Sequence, residues 1–168
     1  IIGRLVGSEM CIRDRIRAGN GISHAEEIDD NSEIFQIWFD PNLSKSLKIS
    51  ASYDDYNSNK FETFVSEKKI KKIIKGSSSP MKMDSENILI NEYKFDNGLH
   101  EIKINPDSIH SLFIISGSLI YNESSIEKGT FIKVDGISEI NFEVTKSAKV
   151  FEIISPTEPS YQTYSSMR

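Results

Sequence analysis

His24 and Glu26 stand two residues apart in the segment AGNGISHAEE, Ala18 to Glu27. On a β-strand, residues i and i+2 project to the same face, so an imidazole and a carboxylate at this spacing can converge on one ion while Glu27 points away. The pair contains no thiolate. It suits Fe(II), Ni, Co, Mn or Cu better than a thiolate-rich structural zinc site. A His-x-Glu pair alone is ordinary, and its commonest role is a solvated pair on a strand. Two protein ligands hold a divalent ion poorly, so a working site needs further ligands. The other histidines, His100 and His110, lie far along the chain and read as structural residues.

The elements that must position such a pair can be read from the flanking residues. Gly19 and Gly21 mark a turn before it. After it, a polar loop leads into IFQIWF, residues 34–39, bounded by Asp30, Asn31 and Ser32 before and Asp40, Pro41 and Asn42 after. This apolar, β-branched and aromatic run reads as a buried strand. Alternation puts Phe35, Ile37 and Phe39 on one face and Gln36 and Trp38 on the other. Phe35 and Trp38 read as core residues rather than substrate contacts. Residues 44–66 form a polar connecting segment, with room for one short helix or strand. In SEKKIKKIIKGSSSP, residues 66–80, a helical wheel groups Ile70, Ile73 and Ile74, but Gly76 and three serines end the pattern. The segment 67–82 reads as a linker leading into a second domain.

From Met83 to Ser155 the chain alternates short apolar strands with turn signals such as Asp96-Asn97-Gly98, Asn105-Pro106-Asp107, Ser116-Gly117 and Asp135-Gly136. This spacing indicates an all-β sandwich or barrel rather than βαβ units. The tail, 156–168, carries two prolines and two tyrosines; it is expected either to wrap back, with Tyr161 and Tyr164 packing it onto a barrel, or to stay mobile.

The chain has 168 residues, 38% hydrophobic and 27% charged, with a net charge of −5. That is a globular composition, enough for one ordinary domain or two small ones. The acidic balance argues against nucleic-acid and anionic-membrane surfaces. The lysines of 68–75 therefore read as an exposed face or linker. A single cysteine, Cys11, excludes an internal disulfide framework and makes a reducing, cytoplasmic setting the expectation.

The first fifteen residues show neither strand alternation nor a helical stripe. Within them, LVGSEMCIRD resembles the translation of a transposase-type sequencing adapter, and Arg15 fits the codon that follows. Residues 1–15 are therefore expected to be non-native. The natural gene is expected to continue upstream of Ile16, which would make the chain a fragment.

AGNGISHAEE followed by FQIWFDPN resembles the pirin family of two-domain cupins. Its members carry an Ala-Gly-x-Gly-x-x-His-x-Glu segment, a Phe/Leu-Gln-Ile/Leu-Trp strand and a Pro-Asn turn. IHSLFIISGSLIYN and IEKGTFIKVDG are similar to the family's second barrel, and the resemblance covers roughly residues 16–165. It implies an all-β cupin fold: residues 16–66 as the remnant of an N-terminal metal-binding barrel with its connector, and 83–155 as a complete C-terminal barrel.

The family's metal is held by three histidines and a glutamate, two of the histidines in a His-x-His segment. The resemblance gives His24 the third histidine's role and Glu26 the glutamate's, with Glu26 also the base that takes a flavonol proton. No His-x-His counterpart is present. The implied cofactor is a mononuclear divalent metal, Fe(II) first, with Ni, Co, Mn or Cu as alternatives. The implied function of the whole protein is quercetin 2,3-dioxygenase-like, with this chain by itself inactive. A pirin-type regulator with a redox-sensitive iron site and a protein partner is the alternative. The expected ligand is a flavonol-like or other aromatic small molecule, with neither nucleic acid nor membrane as partner and a monomeric state.

Overall fold

The computed structural model describes residues 2–5, 13–28, 30, 34–164 and 166, and only the backbone for 2–5, 13 and 26–28. The chain divides into two compact units. One comprises Ile1–Lys60, Met81–Glu86 and Pro159–Arg168, and the other Phe61–Pro80 and Asn87–Glu158.

The second unit follows from strict alternation. Its strands are β5 (Thr63–Val65), β6 (Lys69–Lys75), β7 (Leu89–Lys103), β8 (Ser108–Ser116), β9 (Ser118–Tyr121), β10 (Ser124–Glu127), β11 (Phe131–Val134) and β12 (Glu139–Pro156). Among the described residues they join in one eight-stranded sheet, ordered β10-β9-β12-β7-β6-β5, with β8 pairing β12 and β11. Every second residue of the long strands enters a common core: Tyr93 and Phe95 from β7, Leu112 and Ile114 from β8, Val144, Ala148 and Val150 from β12. Phe95 meets Phe142 edge-on at 5.0 Å and stacks on Tyr93 at 5.4 Å, both favourable ring geometries.

Two sequence expectations are corrected here. The signal Asp96-Asn97-Gly98 does not reverse the chain; β7 runs through it. Thr145 and Lys146 on β12 form a bulge opposite Asn97. Asn97 Nδ2 donates to Thr145 O at 2.7 Å, so the turn residues serve a shared bend in two long strands. Residues 69–75 form β6, not a helical turn or a linker, paired to β5 on one side and β7 on the other. Local propensity was overridden by two ladder partners. Gly117 does make the expected tight turn between β8 and β9. Its φ is +74°, and a Cβ there would lie 2.0 Å from Ser147 O, so only glycine fits.

The first unit is built differently. β1 (Ile2–Leu5) pairs parallel with β3 (Ala25–Ile28), and β2 (Arg13–Arg17) antiparallel with β4 (Ser52–Tyr56). A one-turn helix α1 (Leu43–Ser46) precedes β4. The expected buried strand at 34–39 is not formed: these residues pair with no strand, and Trp38 is 85% exposed. Phe35 is exposed too, so neither is a core residue. An extended apolar run is buried only when a ladder partner fixes one face against a core, and no such partner is present among the described residues. The tail does return to this unit, where Tyr161 donates to Asp40 O at 2.8 Å.

Candidate functional site

The two units offer two sites of different character. In the first, the turn before His24 is fixed by backbone contacts. Asn20 N donates to Ile49 O at 2.9 Å, and Gly21 N to Ala18 O at 2.8 Å. Gly19, at φ +54°, lies so close to Ile49–Ala51 that a Cβ would fall 2.3 Å from Ile49 O. The strand feeding this turn is anchored by a fork: Arg17 Nε and Nη2 donate to the two Asp84 oxygens at 2.6 and 3.1 Å. Arg15 pairs with Asp54 across the β2–β4 ladder.

His24 lies just before β3 and is exposed, rather than turned into a barrel interior. Glu26 sits within β3 in register with Gly3, and its side chain lies outside the described residues. No group of three or more His, Cys, Asp or Glu that could hold a metal ion occurs among the described residues. His24 and Glu26 are thus a pair with no third ligand-type side chain grouped with them among the described residues, and the pair does not by itself fit a mononuclear metal site.

In the second unit a polar cluster sits inside the barrel. Glu152 on β12 and His110 on β8 are each 1% exposed, and Asn91 and Tyr93 on β7 are buried beside them. Glu152 Oε1 faces His110 Nδ1 at 2.8 Å. Its Oε2 accepts from Asn91 Nδ2 at 2.7 Å and from the Tyr93 hydroxyl at 2.8 Å. The far ring nitrogen, His110 Nε2, accepts the Asn105 N–H at 3.0 Å. That bond requires a lone pair on Nε2, so the ring proton sits on Nδ1 and is donated to Glu152. A buried carboxylate is therefore answered by three neutral donors, which is how an interior charge becomes tolerable. Burial first, then the Glu152 charge, holds the Tyr93 hydroxyl far above the usual tyrosine range, so it remains a donor.

Every ring nitrogen and carboxylate oxygen of this cluster has a hydrogen-bond partner within the second unit. His100 is also partnered: its Nε2 bonds Asp96 O at 2.7 Å and its ring packs on Phe95 at 4.8 Å. Sequence reasoning had placed both histidines as structural but missed Glu152, Asn91 and Tyr93. The signal was present in the alternation. Asn91 shares a face with Phe95, and Glu152 with Val150, so polar residues stand at positions the pattern assigns to the core.

The eight-stranded, apolar-filled second unit, with its chain order and long bent strand pair, has an all-β cupin fold. Solved structures share it. Two structures of quercetin 2,3-dioxygenase from Acinetobacter baumannii align with TM-scores of 0.56 and 0.57 at 11% and 14% identity, over 67% and 66% of this chain and 42% and 38% of theirs. GK1651 from Geobacillus kaustophilus aligns with a TM-score of 0.54 at 15% identity, over 69% of this chain and 52% of its own. The chain thus spans about two fifths of the length of the two dioxygenase chains. No family model and no curated protein matches the sequence. No helix among the described residues is long and apolar enough to cross a membrane.

Proposed function

We propose that this chain is part of a pirin-like cupin protein whose chemistry belongs to the His24–Glu26 segment, while the second unit serves as its structural barrel. The observation that carries this reading is the closed cluster inside the second unit. His110, Glu152, Asn91 and Tyr93 are committed to one another, and the described residues of that barrel gather no three metal-ligating side chains. The fold shared with quercetin 2,3-dioxygenase structures supports a cupin scaffold, and the His-x-Glu spacing supplies imidazole and carboxylate from one strand region.

The whole protein would bind a mononuclear divalent metal, Fe(II) first, and oxygenate a flavonol-like or other aromatic molecule. His24 and Glu26 would be two of the ligands, joined by a His-x-His pair from polypeptide outside these 168 residues. Glu26 would also take the substrate's hydroxyl proton.

Metal titration tests this directly. The chain as it stands should bind Fe(II) or Ni(II) weakly and consume no O2 with quercetin. Extended by a segment bearing His-x-His, it should bind one ion per chain and consume O2 with quercetin. The change His24→Ala should remove both. Turnover by the unextended chain at the rate of a complete homologue, or metal binding indifferent to His24→Ala in the extended one, would sink the reading.

A further inference from the structure

We propose that the second unit carries a binding site for a small planar carboxylate with an aromatic body, formed by Lys71 and Lys69 of β6 with the rings of Phe64 and Tyr93. The register places these residues together. Lys71 pairs with Tyr93 of β7 and with Phe64 of β5, and Lys69 pairs with Phe95. Residues paired across a ladder share a face, so both lysines lie on the face through which Tyr93 and Phe95 enter the core. Lysine is an unusual choice there, because an inward ammonium must be paired or solvated.

Both lysines are half-buried. The Lys71 ammonium lies 5.7 Å from the Tyr93 ring centroid and makes no ion pair among the described residues. The Lys69 ammonium reaches only a backbone oxygen, Glu101 O, at 3.4 Å. Two lysines whose backbones lie about 7 Å apart along one strand thus face the same side, neither with a carboxylate partner among the described residues. The chain carries a net charge of −5, so acidic partners were available to them in quantity.

The aromatic groups define the rest of the ligand. Phe64 is 52% exposed on the edge strand, a free apolar ring directly across from Lys71. Tyr93 is buried and its hydroxyl is committed to Glu152, so its ring seats Lys71 rather than meeting the ligand itself. That hydrogen bond to a buried carboxylate enriches the ring in electron density and holds the Lys71 ammonium over it. The ammonium keeps its remaining N–H donors for an anion, and the neighbouring Phe64 ring receives a flat apolar body. A carboxylate attached to an aromatic ring satisfies both demands. Acetate meets only the first and benzamide only the second.

Amide chemical-shift titration with benzoate, benzamide and acetate tests the proposal on the intact chain. Benzoate should give saturable shifts at Phe64, Lys71 and Tyr93, with the other two probes far weaker. Lys71→Gln should bind benzoate about tenfold more weakly, the loss of one charge-assisted contact. Phe64→Ala should also weaken it, while Lys71→Arg, which keeps charge and ring contact, should bind as the wild type does. Absence of saturable shifts, or equal binding of benzamide, overturns the site. So does a Lys71→Gln protein that is less stable yet binds benzoate unchanged, because Lys71 would then serve only as a counter-charge to Glu152.

Discussion

Glu152 is the residue on which the interior of the second unit turns. It is a carboxylate in an apolar barrel, held by Asn91, Tyr93 and His110. Glu152→Ala strands three buried donors and should cost at least about 3 kcal/mol, read from the urea midpoint. Tyr93→Phe removes one donor and should cost less. It should also change the alkaline limb of stability. The folded pKa of Tyr93 is raised above its ordinary 10.0, so the contribution is complete below pH 10 and is lost progressively above it. Unfolding measured from neutral to strongly alkaline pH should therefore fall less steeply in Tyr93→Phe. On the surface, the Lys103 ammonium between Glu139 and Glu101 holds the Glu139 carboxyl below its usual range, but this exposed trio should matter little to stability.

The elements show where alternation was a sufficient guide and where it was not. Gly117 was legible as a turn, and its strain is now measurable: Gly117→Ala forces a Cβ against Ser147 O at positive φ. It should cost about 2 kcal/mol or more, seen as a lowered thermal midpoint. The strand expected at 34–39 had the right composition, but composition supplies no partner. With Trp38 85% exposed and the only tryptophan of the chain, its fluorescence should be solvent-like in the native state, be quenched readily by iodide and shift little on unfolding. Strong quenching protection would instead mean that 34–39 is covered after all. Residues 69–75 erred in the opposite sense. Their charges suggested a linker, yet pairing with both β5 and β7 made them a central strand.

At the scale of the molecule, the two units differ in how their hydrogen bonds are secured. The second has an eight-stranded sheet around one apolar core; the first has two two-stranded sheets among its described residues. Amides of β7, β8 and β12 should therefore exchange at rates set by global unfolding, and those of β2 and β4 through local opening at lower free energy. Equal protection in both units would contradict this. Local spacing alone was enough for the all-β class and for the alternating character of the chain between Met83 and Ser155. Burial with period two depends only on that spacing. The sequence also displayed His24 and Glu26 as a spaced pair, but not whether other ligands join them. Only the tertiary structure decided that Asp96–Gly98 is a bend, that 34–39 stays outside a sheet, and that Glu152 gathers three donors. Those outcomes depend on which distant residues come opposite, and a ladder partner, a bulge or a buried hydrogen-bond acceptor is a relation between segments that spacing along one of them does not contain.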